Sequence, residues 1–201
     1  MSKFIRDNNG VIGLTLSQIG LMIAMGILIA ALFSLVFQND WRKEAELQNI
    51  ATSFSTMVDG MDSRFFENTT GFLLPDMEYH YNVSISTEYI TVCTKGNVGN
   101  DLSVKERFLV RPWPNSDESI WETGAALHDH LKDNFGNSGN TSDPVQNVSN
   151  VKNYLNNEWK NVSDSLALKP LYVSMEKIIY IEKIYIYYED SGKQEIVFIY
   201  Q

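Results

Sequence analysis

The chain has one cysteine and five prolines in 201 residues, and no charged side chain from Asn8 to Asn39. Each scarcity excludes something. The single Cys93 permits no internal disulfide, so an exterior domain would rely on its core, with Cys93 as a small buried apolar residue. A Gly-rich phosphate loop, G-x-S-x-G, H-E-x-x-H and C-x-x-C are all missing. These gaps point away from an enzyme, and neither a cofactor nor a metal is expected. His128 and His130 would project about 200° apart on a helix, which reads as a solvated surface and not a metal site. Asp76, Glu78 and His80 read as an exposed polar face. Basic charge is also short. Residues 38–201 carry 14 Lys and Arg against 24 Asp and Glu, a net charge of −10, which argues against nucleic acid as a partner.

What is present is length without charge. Val11 to Phe37 makes 27 residues, about 40 Å of helix at 1.5 Å per residue. A bilayer core needs about 20 residues, and a secretory apolar region has about 7–15. The run ends in Phe37, Gln38, Asn39, Asp40 and Trp41, with no small-x-small cleavage site. It therefore reads as a transmembrane helix that is retained. Its polar residues, Thr15, Ser17, Gln18 and Ser34, lie mostly near the ends. Lys3, Arg6 and the amino terminus on one side balance Arg42 and Lys43 on the other, so charge does not fix the orientation. Five N-x-[ST] sequons follow the span, at Asn68, Asn82, Asn140, Asn147 and Asn161. They favour an extracellular, glycosylated carboxy-terminal head on a single-pass protein.

Beyond the span, Leu47, Ile50, Ala51, Phe54, Met57, Val58, Met61 and Phe65 recur at helical spacing on one stripe. One helix is expected from near Leu14 to about Phe66, apolar all round and then amphipathic, with Asn39–Asp40 and Gly60 as weak points. Leu47, Ile50, Phe54, Met57 and Met61 are its packing positions. Leu47 is expected to lie beyond the reach of the head, free for neighbouring subunits.

The fold class is α+β, with a mixed, β-rich head. "MEYHYNVSISTEYITVCT" reads as a β-hairpin, with Tyr79, Tyr81, Val83 and Ile85 on one face. "KERFLVRPW" adds a strand stopped by Pro112 and Pro114. A helix is expected over 117–134, packing through Ile120, Trp121, Ala125, Leu127 and Leu131. A polar loop and a second helix over 148–166 follow. The chain ends in a strand-rich stretch folded at "EDSGKQ".

The polar leader with Lys3 and Arg6, then Gly10, then "VIGLTLSQIGLMIAMGILIAALF" and the amphipathic extension together resemble archaeal type IV pilin-like proteins with a class III signal peptide. The resemblance covers residues 1–66. Asn9 stands where that family carries a basic residue, and Thr15 where bacterial members carry Glu. The resemblance implies cleavage by a prepilin peptidase between Gly10 and Val11, with Gly13 as the family's third mature residue. It divides the chain into a leader (1–10), a transmembrane helix (11–37), a helical extension (38–70) and a head (71–201). It further implies self-association, or association with other pilin-like subunits, through the amino-terminal helix in a surface filament. Gly20, Ala24, Gly26, Ala30 and Ala31 would permit close helix approach. The competing reading is a permanently anchored surface protein whose head binds a cell-wall or appendage component.

Overall fold

The computed structural model describes residues 8–97, 99, 101–115 and 122–201. The leader charges Lys3 and Arg6 and the packing candidates Ile120 and Trp121 lie outside them. The chain divides into two compact units, residues 1–43 and 44–201. Helix α1 spans Asn8–Asp62 and belongs to both, running unbroken through Asn39–Asp40 and Gly60. It ends four residues short of Phe66, and Asn68–Phe72 is already strand β1. The helical extension from Glu44 therefore belongs to the head's own unit.

In that unit the protein is α+β, as the sequence patterning requires. Strand β1 is followed by β2 (Tyr81–Ile85), β3 (Tyr89–Lys95), β4 (Asp101–Arg107) and the two-residue β5 (Trp113–Pro114). Helices α2 (Gly124–Phe135) and α3 (Val148–Leu168) come next, then β6 (Leu171–Tyr172), β7 (Ile179–Tyr187) and β8 (Lys193–Tyr200). One sheet has the order β1-β7-β8-β5 and the other β4-β3-β2-β6.

Two cores result. The α1 residues Leu47, Ile50, Ala51, Phe54, Val58 and Met61 are buried, while Met57 is half-buried. They pack with Val83, Ile85, Ile90 and Val92 of one sheet and Ile179, Ile181, Val197 and Ile199 of the other. Phe54 meets Phe72 edge-on at 5.2 Å. Each such large apolar side chain contributes about 1.5–3 kcal/mol on burial, so this stripe anchors the head. The opposite face of the β7–β8 hairpin, through Ile184, Ile186, Ile196 and Phe198, packs on Leu127 and Leu131 of α2 and Val151 and Leu155 of α3. Strand β7 is thus covered on both faces beyond Glu182, which is why its apolar run has no polar alternation there.

Several expectations change. The head does reach Leu47, which is fully buried. Tyr79 donates to Glu46 at 2.9 Å, and Gln48 to Glu106 of β4 at 2.8 Å, so the head covers the helix down to that turn. Strand β4 starts at Asp101, four residues earlier than expected, and ends before Phe108. Pro114 does not stop a strand but sits in β5, where an edge position needs no donor from it. Its neighbour Asn115 supplies the N–H to Ile199 at 2.7 Å. Ala125 is exposed, and α2 packs instead through Gly124, Leu127 and Leu131. Asp76, Glu78 and His80 are exposed but precede β2 and so share no strand face. Cys93 is half-buried, not buried, because it points away from the core shared with α1.

The start of α2 explains its glycine. Thr123 Oγ1 accepts from Ala126 N–H, and the Glu182 carboxylate accepts from Gly124 N–H at 2.9 Å. A Cβ on Gly124 would collide with the Ile184 side chain. We expect Gly124→Ala to lower stability by about 1–3 kcal/mol through overpacking, read as a shift in the thermal midpoint. A midpoint within a degree of the parent would contradict this close approach.

Candidate functional site: the exposed apolar helix

In the first unit, α1 has no buried side chain among the described residues of its apolar run. Ile19, Leu21, Met22, Ile23, Leu28 and Phe33 each expose half or more of their surface, and they lie all round the helix. Water would not tolerate such a surface on a free helix, since apolar area must be removed from solvent. By length and composition this is one helix able to cross a membrane. A Cβ added at Gly20 or Gly26 would touch nothing within 4 Å, so these glycines leave open notches on the helix. Gly10 and Val11 fall in the first turn of α1, and Gly13 in the next.

The second unit contains the groups that hold the other end of α1. Lys183 of β7 is 1% exposed, and its Nζ donates to the carbonyls of Asp62, the last residue of α1, and of Arg64, two residues beyond it. Tyr185 Oη donates to the same Arg64 carbonyl at 3.0 Å. Cation and hydroxyl satisfy carbonyls that the helix leaves without partners, at the end where positive charge is favoured. Glu195 closes the cluster with an ion pair to Lys183 at 2.9 Å. Cross-strand register explains the meeting: Tyr185 stands opposite Glu195, and Lys183 opposite Val197, all on the face towards α1. Reading the sequence alone misses this cluster. A lysine inside "IYIEKIYIYY" signals nothing until the register is known.

Among the sequons, Asn82, Asn147 and Asn161 are exposed, while Asn68 and Asn140 are half-buried. Asn140 Oδ1 accepts from Ser142 N–H at 3.0 Å, from the Ser142 hydroxyl at 2.9 Å and from Asp143 N–H at 2.8 Å. Its carboxamide is held in the turn. His128 and His130 are half-buried and not solvated: His128 Nδ1 bonds the Ser138 carbonyl at 2.7 Å, and His130 Nε2 the Tyr154 hydroxyl at 2.7 Å. Folding of the 137–143 loop and of α3 onto α2 covers them. No cluster of three metal-ligating side chains occurs among the described residues. A shallow groove of about 310 Å³ runs beside α1, lined by Glu46, Asn49, Ser53, Phe72, Pro75 and Met77. Glu46 is the titratable group of its lining, and it accepts from Tyr79 Oη at 2.9 Å. Comparison with protein-family models, curated proteins and solved structures returned no match.

Proposed function

We propose that the chain is a subunit, structural or minor, of an archaeal type IV pilus-like surface filament, processed at Gly10–Val11. The observation that carries the reading is the contrast between the two halves of α1. Among the described residues, the side chains of Ile19–Phe37 are exposed and present apolar surface on every side of the helix. A helix of that kind is stable in lipid, and equally stable against copies of itself, because helix–helix contacts replace lipid contacts. A subunit could therefore leave the bilayer for a filament core without exposing apolar surface to water. The head would face outward and present its acidic surface to the medium.

A specific observation favours the second reading, a permanent anchor. The stripe from Leu47 to Met61 is covered by the head itself, so neighbouring subunits are not needed to bury it. Assembly, where it occurs, must then depend on the apolar half of α1. Introducing a charge there, as in Gly26→Glu, serves less well as a test than Gly10→Val, which leaves the helix surface intact. We expect Gly10→Val to keep the chain in the membrane and to abolish its release in the shear-detached surface fraction. Undiminished release of the variant would sink the filament reading.

Exposure orders the sequons. If the head is glycosylated, Asn82, Asn147 and Asn161 carry glycan, whereas Asn140, whose amide is locked in its turn, and Asn68, which is half-buried, do not. Glycopeptide mapping of protein from cells reads this directly. Occupancy at Asn140 above that at Asn161 would contradict it.

A further inference from the structure

We propose a register for α1 in the bilayer: Ile19–Phe37 fill the hydrocarbon, Gln18 and Trp41 lie in opposite headgroup layers, and residues 11–17 lie outside the core. The inference rests on reading this helix as a membrane span, and it fixes what that reading leaves open. The neutral run is too long. Val11–Phe37 covers about 40 Å, and the core is about 30 Å thick, so about 10 Å must be absorbed by tilt or by exit from the core.

Two side chains decide between these. Gln18 carries a full carboxamide and is exposed on the helix surface. Trp41 is 75% exposed and precedes Arg42 and Lys43, the composition of an interfacial belt. Their separation of 23 residues corresponds to about 35 Å of helix. That lies between the hydrocarbon thickness of about 30 Å and the whole bilayer of about 40–45 Å. An upright helix therefore places both in headgroups at once. Tilting by about 40° to keep all of Val11–Phe37 inside would pull Gln18 about 8 Å into the hydrocarbon, with its amide unsatisfied. Between Ile19 and Phe37 the most polar side chain is Ser34, whose hydroxyl can bond a carbonyl one turn back.

The register has a consequence for processing. The Gly10–Val11 bond lies eight residues before Gln18, about 12 Å farther out along the helix. A peptidase would meet it at the wet edge of the bilayer and not within the hydrocarbon.

The test uses the full-length chain with Cys93→Ser, in vesicles of mixed neutral and anionic phospholipid. Single cysteines at Gln18, Leu28 and Trp41 are reacted with a charged maleimide after the vesicles are opened. Water is excluded from the core, so Gln18→Cys and Trp41→Cys should label at least about tenfold faster than Leu28→Cys. Labelling of Gln18→Cys as slow as Leu28→Cys, with Trp41→Cys fast, overturns the register while the span stands. Fast labelling at Leu28→Cys, with the chain released by an alkaline wash, overturns the membrane reading and the register together.

Discussion

Leu47→Glu is expected to unfold the head. Leu47 has no exposed surface, and it opens the stripe on which both sheets pack. A carboxylate there would be buried without a partner, which costs several kcal/mol. Single domains are stable by only about 5–15 kcal/mol, so this one change consumes a large share. Leu47→Ala separates charge from volume and should cost about 2–5 kcal/mol. Near-ultraviolet circular dichroism and thermal melting of the detergent-solubilised chain would read both. The exterior turn imagined for Leu47 from spacing alone predicts the reverse, a folded head with a charge at its base. A Leu47→Glu head that melts within a few degrees of the parent would restore that picture.

Lys183→Met should also destabilise the head and should change how stability depends on pH. The substitution removes the Lys183 donor from the Asp62 and Arg64 carbonyls, leaving Arg64 its bond from Tyr185 Oη, and leaves Glu195 with Lys193 at 3.5 Å. Lys183 is buried but Glu195 is 37% exposed, so solvent screens the lost pair, and the larger cost is the Asp62 carbonyl deprived of this donor, about 1–3 kcal/mol. Burial acts to raise the Glu195 carboxyl, but the hydrogen bond and charge of Lys183, with help from Lys193, hold it below its ordinary value. A depressed folded pKa contributes stability above the unfolded carboxylate value and loses it as pH falls through the folded one. Burial also acts to lower Lys183, yet the bond to Glu195 and the nearby Tyr185 leave it above its ordinary value. That contribution is full below the unfolded lysine value and is lost as pH rises through the folded one. The pair therefore stabilises the head between the carboxylate and lysine ranges. In Lys183→Met the acid-side decline in midpoint should flatten. A second change, Glu195→Leu, should recover part of the loss, because it removes the carboxylate that has lost its buried cation. An acid limb unchanged in Lys183→Met would show that Glu195 is not held by this lysine.

These two residues mark where the sequence was legible and where it was not. Periodicity located the buried face of α1, since Leu47, Ile50, Phe54 and Met61 differ sharply from Gln48, Asn49 and Ser53. It also located the hairpin at Ser86–Thr87, where Ser86 Oγ accepts from Glu88 and Tyr89 N–H groups. The carboxy-terminal hairpin was legible in the same way, and its turn places Ser191 at φ 63°. Strand β1 was not, because "NTTGF" is short, polar and glycine-bearing, and it forms only by pairing along β7. Which sheet a strand joins depends on contacts far apart in the chain, and no local pattern carries that. Lys183 was hidden for the same reason: its partners lie at residues 62, 64 and 195. Of the site, the apolar run was plain from composition, whereas the cover over Leu47 became apparent only with the positions of Tyr79 and Glu106.

The proposed processing would remove a short leader and retain α1, so that the mature chain would begin inside the helix. Intact-mass and amino-terminal peptide analysis of protein taken from cell membranes and from the surface fraction tests it most directly. The account predicts a terminus at Val11 in both, with the span and head intact. Recovery of Met1 or Ser2 at the terminus in both fractions would contradict it and leave a permanently anchored surface protein in its place.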